Sequence, residues 1–258
     1  HMPYYGPRDK QYDPADVTLP DDFNAAPGED QPTKTRALAE WYRRHGHSGQ
    51  PVADEAGWRQ MIAKYWGLCS LVDTHFGRIL DTLEATGQAD NTIVVYTSDH
   101  GDMMGSHQLL AKCVQFQRAV RVPLLIRLPG VAGGRTLDDP VGQVDLVPTL
   151  LDALGQRIPD RLQGHSWLPW LRGETEHPPE RNVFIEWNGD DNGISDPFDK
   201  RGVPPELAEV APVEQIAASI TDPVRTIITP DGWRYTRSTI GEHELYDLNS
   251  DPNETRNL

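Results

Sequence analysis

Asp99 and His100 stand side by side immediately after the apolar, β-branched run Thr92-Ile-Val-Val-Tyr-Thr97 and Ser98, and just before Gly101. A carboxylate is a hard oxygen donor suited to Ca²⁺ or Mg²⁺. A neutral imidazole favours transition metals but also joins mixed shells. Neighbouring residues in extended chain point to opposite sides, so both reach one ion only if the chain turns, which Gly101 permits. The same four residues, Ser98-Asp-His-Gly101, equally suit a plain capped turn after a strand. His107 and Lys112 follow closely. A lysine ammonium is a compact charge able to hold a tetrahedral oxyanion. A histidine can orient the same anion or give a proton to a leaving oxygen. Lys112 is the sole Lys or Arg from 103 to 117, but by itself it is also an ordinary solvated lysine. At the start, His1-Met-Pro-Tyr-Tyr-Gly-Pro7 offers one more imidazole, although His-Met is also a common cloning remnant.

The elements that must hold these groups alternate in character. Residues 1–57 carry prolines at 3, 7, 14, 20 and 27. That spacing forbids long helices and reads as a surface run or a lid, with one short helix over Thr35–Arg44. From Trp58 the stripe Ile62, Tyr65, Cys69, Val72, Phe76, Ile79, Leu83 repeats at gaps of four and three. It predicts a core-packed helix of about 28 residues ending at Gly87. The run at 92–97 then reads as a buried strand whose carboxyl end carries Asp99, the place where open α/β sheets bind ligands. Val122-Pro-Leu-Leu-Ile-Arg-Leu128 predicts a second strand. Asp145 is placed to cap a helix with Val147, Leu150, Leu151 and Leu154 inward, closed by Gly155. Residues 156–181 read as a connector and 188–212 as a loop. Val183–Trp187 is a short strand. Arg225–Thr229 and Trp233–Arg237 flank Pro230-Asp-Gly232 as a hairpin, and Glu244 onward adds a strand and a turn. This is an α/β layer over residues 1–175 with a small antiparallel subdomain over 176–258.

The net charge of −15 argues against a nucleic-acid partner, because phosphate neutralisation needs clustered Lys and Arg. No stretch approaches the roughly 18 apolar residues of a membrane span. Cys69 and Cys113 form neither a zinc spacing nor a disulfide framework. Both read as small core residues.

Several segments in order resemble the second half of the type I sulfatases, of the alkaline phosphatase-like superfamily. They are Leu71–Leu80, Asp90–Asp102, Lys112, Arg121–Arg127, Val144–Leu151, Leu162–Ser166, and Glu244-Leu-Tyr-Asp-Leu-Asn-Ser-Asp-Pro-Asn-Glu254 with Asn257-Leu258. The opening resembles that family's His-x-Pro block, which favours a native His1. The resemblance implies an alkaline phosphatase-like sandwich, helices around a mixed sheet and present only in part. It implies one divalent cation, usually Ca²⁺ with Mg²⁺ or Mn²⁺ as substitutes, held by Asp99 and His100. It places sulfate on Lys112 and His1, with His107 as a further sulfate or leaving-group residue, and Asp102 in a supporting turn. The implied substrate is a sulfated small molecule or sugar. The family's nucleophile is a formylglycine made from a Cys/Ser-x-Pro-x-Arg motif in the first half. Here Cys69 is followed by Ser-Leu-Val and Cys113 by Val-Gln-Phe. The expectation is therefore a C-terminal portion that needs an N-terminal half as partner and is inactive alone. A phosphoester or phosphonate monoester hydrolase of the same superfamily is the competing enzyme, and a non-catalytic metal- or anion-binding module the competing class.

Overall fold

In the computed structural model, residues 4–47, 49–179, 182–189 and 202–258 are described. Helix α1 (Thr33–His45) starts after Pro32 and ends at Gly46 in a positive-φ conformation. Helix α2 (Glu55–Ala85) is capped by Asp54, whose carboxylate accepts the Gly57 N–H at 2.8 Å. Gly87, with φ 68°, follows its last turn. The predicted stripe is helical throughout, but only the first part of α2 is buried, at Trp58, Met61, Ile62, Ala63 and Gly67. Val72 and Ile79 are 53% and 58% exposed, and Cys69 is exposed as well. The expectation of a core-packed stripe and a core Cys69 fails there: no residue of α2 after Gly67 is buried, although Phe76 packs against Tyr96.

Strand β1 (Val94–Thr97) pairs antiparallel with β2 (Leu124–Arg127) in the register Val94↔Arg127 to Thr97↔Leu124. Among the described residues these two strands form a sheet of their own. One face receives α2, where the Phe76 and Tyr96 rings lie 5.0 Å apart. Leu124 and Leu125 are exposed, so β1 is half-buried rather than fully buried. After β2 come α4 (Leu146–Ala153) and α5 (Leu168–Arg172), the latter inside the expected connector; the one-turn helix α3 (Gln117–Val120) precedes β2. Asp145 does not cap α4. Its carboxylate turns inward and accepts the His165 N–H at 2.7 Å and the Trp167 indole N–H at 3.1 Å. This rotates α4 so that Pro148 and Thr149 are buried while Val147 and Leu154 face outward.

The C-terminal region is a four-stranded antiparallel meander, β3 (Val183–Trp187), β4 (Val224–Ile228), β5 (Trp233–Arg237) and β6 (Glu244–Asp247), in that order. Helix α6 (Val213–Thr221), between β3 and β4, was not anticipated. One hydrophobic cluster joins the two regions, running from Tyr4, Val17 and Phe23 through Leu38, Met61 and Phe116 to Ile216 and Tyr246. Much of residues 4–32 runs over the surface, as expected, but Tyr4, Val17 and Phe23 anchor it in this cluster, and α1 adds Ala37, Leu38 and Tyr42. Beneath the meander lies buried Arg234. Its guanidinium pairs with Glu254 at 2.5 Å and Glu244 at 3.4 Å, donates to the Gln115 carbonyl at 2.7 Å, and sits 4.4 Å from the Tyr246 ring. A buried charge is tolerated only when it is paired in this way.

Candidate functional site

At the end of β1 the chain turns through Ser98, Asp99 and His100. The Ser98 hydroxyl donates to the His100 carbonyl at 2.9 Å, and the His100 N–H donates to Asp99 Oδ1 at 3.0 Å. Gly101 passes so close to Arg118 that a Cβ would lie 2.0 Å from its carbonyl oxygen, and its N–H donates to the Ala119 carbonyl at 2.7 Å. No other residue type fits, and this approach bends the chain so that both side chains share one side. His100 Nδ1 lies 2.7 Å from the Gly101 carbonyl, which makes Nδ1 the N–H donor and leaves a lone pair on Nε2. Nε2 then stands 3.5 Å from Asp99 Oδ2. Two lone-pair donors converge on one point in solvent, since the Asp99 side chain is 83% exposed. What little burial Asp99 has pushes its carboxyl up, but the His100 N–H and the nearby imidazole hold it below the usual range. This donor set fits a divalent cation as part of a shell. Among the described residues no group of three or more His, Cys, Asp or Glu could hold a metal.

The next turn carries the lysine. Asp102 Oδ1 accepts the N–H groups of Met104 (3.1 Å) and Ala111 (3.0 Å), and Oδ2 accepts the Tyr4 hydroxyl at 2.7 Å. The Met103 N–H donates to the Ala111 carbonyl at 2.7 Å. The loop so closed holds four non-glycine residues with left-handed φ, Met104, His107, Gln108 and Ala111, and Cys113 follows with a fifth. Each costs of order 1 kcal/mol, and such strain gathers where a loop must present a group in one way. Lys112 is the residue so presented. It is half-buried, with no hydrogen bond or ion pair among the described residues. Around Asp102 lie further titratable rings. Burial, then the Asp102 charge, pushes the Tyr4 hydroxyl far up, and the same two causes push Tyr65 up to about 12. His47 belongs to this cluster: burial holds its imidazole below the ordinary value, with Asp102 raising and Lys112 lowering it further. Cys113, expected in the core, is half-buried in the strained turn beside Lys112.

His107 is not in this cluster. It is 2% exposed, with Nδ1 2.9 Å from the Ala25 carbonyl and Nε2 2.8 Å from the Asn253 carbonyl. Its ring stacks on Phe116 at 4.2 Å. Both nitrogens are occupied and no solvent reaches them, so the expected sulfate or leaving-group role does not match its placement. It ties an N-terminal segment and the C-terminal signature to the loop that carries Lys112. The reason is its φ of 52°, which turns the side chain inward. His1 lies outside the described residues. Sequence reasoning passed over His47 and Tyr4. The one available signal for His47 was its position between Gly46 and Gly49.

The Sulfatase family profile matches residues 2–156. The multifunctional alkaline phosphatase superfamily protein PehA of Trinickia caryophylli is 31% identical over 217 residues, covering 83% of this chain and 39% of that protein. A Δ4,5-hexuronate-2-O-sulfatase of Bacteroides thetaiotaomicron is 29% identical over 245 residues, covering 93% of this chain and 45% of that protein. The structure of a phosphonate monoester hydrolase from Silicibacter pomeroyi superposes with a TM-score of 0.75 at 28% identity, over 98% of this chain and 48% of that one. The chain spans less than half the length of the curated relatives it matches. The architecture of helices, β1–β2 and a small C-terminal sheet is the alkaline phosphatase-like one of these neighbours. With a family match over more than half its residues, the chain belongs to the sulfatase family.

Proposed function

We propose that this chain forms the cation- and sulfate-holding part of an enzyme that hydrolyses sulfate esters, of a sulfated sugar or small molecule. The observation that carries the reading is the convergence of Asp99 Oδ2 and His100 Nε2, 3.5 Å apart at the end of β1, one turn before the strained loop that presents Lys112. Asp99 and His100 would hold a divalent ion, Ca²⁺ first and Mg²⁺ or Mn²⁺ next, as part of its shell. When bound, such an ion polarises sulfate oxygens and offsets negative charge. Lys112 binds and orients the oxyanion as a preorganised cation, and Asp102 fixes the loop from which it reaches. His1 is assigned a second sulfate contact. The nucleophile is a formylglycine from a Cys/Ser-x-Pro-x-Arg segment, supplied by an N-terminal half, because neither Cys69 nor Cys113 has that context. The name of the Bacteroides relative supports a sulfated sugar as the substrate class. Calorimetry with Ca²⁺ and sulfate, on the unsubstituted chain and on Asp99→Ala, tests the reading. Ca²⁺ binding that Asp99→Ala weakens at least tenfold is expected. Equal binding by both chains overturns the ligand assignment.

A second reading, phosphonate or phosphate ester hydrolysis, is favoured by the Silicibacter pomeroyi neighbour. The same cation and lysine serve either tetrahedral anion, and fold alone does not decide between them. Rates on paired sulfate and phosphonate esters by the complete enzyme discriminate.

A further inference from the structure

We propose that His107 is a positioning residue for the loop that presents Lys112, and that it acts as an imidazolium. Its ring meets only acceptors. Nδ1 lies 2.9 Å from the Ala25 carbonyl and Nε2 2.8 Å from the Asn253 carbonyl. A carbonyl oxygen accepts and never donates, so each nitrogen must carry a proton, and a ring with two protons is charged. A neutral ring would turn a lone pair on one of the two oxygens. A second observation points the same way. Asp22 is 3% exposed, and its Oδ1 has no hydrogen-bond partner among the described residues. Its Oδ2 accepts the Ser106 hydroxyl at 2.5 Å and stands 3.7 Å from His107 Nε2. A buried carboxylate needs a positive partner, and His107 is the only one that Asp22 has among the described residues. The other charges packed round the ring are already matched. Arg234, 5.6 Å from the Phe116 ring on which His107 stacks, pairs with Glu254 and Glu244 and lies against Tyr246. Asp102 takes the Tyr4 hydroxyl and two backbone N–H groups. The place of the ring makes it a clamp. His107 lies within the segment that Asp102 and Met103 close onto Ala111, the residue before Lys112. Its φ of 52° is a conformation that persists only while the surroundings fix it. One imidazolium thus ties this loop to residues 22–25 and to the turn at Asn253. Loss of one ring proton removes one of the two ties. A contribution that needs the protonated form is present at low pH and lost as the pH rises, so the loop should present Lys112 less firmly once His107 gives up its proton.

The consequence for sulfate rests on the reading of Lys112 as the sulfate lysine, and the test separates the two. The chain is labelled with ¹⁵N in its histidine rings and backbone. Spectra are followed upward in pH until the His107 ring loses its proton, with and without sodium sulfate, at an ionic strength held constant with sodium chloride. Far-UV circular dichroism reports the overall fold at each pH, and His107→Gln identifies the ring signals. The expected starting point is a His107 ring whose two nitrogens give nearly the same shift, the mark of an imidazolium; a neutral ring gives two widely separated ones. Loss of that pattern should coincide with movement of the Met104 and Ala111 amides and with an about fivefold fall in sulfate affinity, the worth of one hydrogen bond, at an unchanged far-UV signal. Asp22→Asn removes the counter-charge and should move these transitions to lower pH by about one unit or more, whereas a transition set by the Lys112 proton would stay where it is. A ring that is neutral throughout overturns the proposal. So does a ring that loses its proton while the Met104 and Ala111 amides stay still, or one whose proton loss unfolds the whole chain. Ring and amides that move together, with no sulfate bound at any pH, uphold the clamp and overturn the Lys112 reading. The series on the unsubstituted chain gives this answer even if a variant folds poorly.

Discussion

Asp99 becomes a candidate ligand, rather than a turn residue, because of where two lone pairs point. Both donors are exposed at the turn, so Asp99→Ala and His100→Ala should change unfolding free energy by no more than about 0.5 kcal/mol while weakening Ca²⁺ binding. Urea melts alongside calorimetry check this, and a large stability loss would make the pair a structural turn. His107→Ala should behave the opposite way. It removes a buried, stacked ring and the partner of the half-buried Ala25 and Asn253 carbonyls, and should cost about 2–3 kcal/mol in the same melts. A variant as stable as the parent would contradict the clamp. The two histidines also show what a sequence reveals at this scale. The turn that carries His100 was legible because a strand run and a glycine fix the direction of the chain around it. The burial of His107 was not legible, because spacing from Lys112 says nothing of a backbone with φ 52° that carries the ring into the core.

At the scale of elements, α1, α2, the strand before Asp99 and the hairpin from β4 to β5 were legible from apolar period and turn residues. Burial was less so, because a stripe on α2 shows which face is apolar and not how far along it a partner extends. Helix α6 had a readable signal, Ile216, Ser219 and Ile220 on one face, between two prolines. The rigidity of the Lys112 loop depends on the far end of the chain, since Glu254 accepts the Gln117 N–H at 2.6 Å while pairing with Arg234. Arg234→Met leaves Glu254 buried and unpaired and should cost about 3–5 kcal/mol, with a broadened amide spectrum over 110–117. A cost under about 1 kcal/mol would place the pair among weak surface bridges. On α1, hydrogen bonds from Arg43, against an opposing burial effect, and then from Arg44, hold Glu40 down at about 2. A depressed carboxyl adds stability above its unfolded value near 4.5, and that stability fades as pH falls from there towards 2. The pair is exposed, so the advantage of the parent over Glu40→Gln should stay below about 1 kcal/mol at neutral pH, shrink as pH falls below about 4.5 and be lost near pH 2 in denaturant melts. An advantage that grows on acidification would reverse the sign.

For the whole molecule, the informative feature is apolar surface. Val72 and Ile79 on α2, Leu125 on β2, and Val147 and Leu154 on α4 are all exposed, in a chain that spans less than half the length of its curated relatives. Exposed apolar surface of this kind marks a contact surface, and the occupant consistent with the proposed function is the half that carries the nucleophile. One core cluster nevertheless reaches from Tyr4 to Tyr246, so this chain should unfold in a single cooperative step, with coincident far-UV and tryptophan transitions. The central claim is that Asp99 and Lys112 form part of a sulfate ester site whose nucleophile lies in another segment. Release of sulfate from an aryl sulfate tests it most directly, measured on this chain alone and on the chain joined to a formylglycine-bearing N-terminal half. The predicted result is no release from the 258 residues alone, release from the joined protein, and its loss in Asp99→Ala and in Lys112→Ala. Release by the chain alone, or release that survives both substitutions, would contradict the claim.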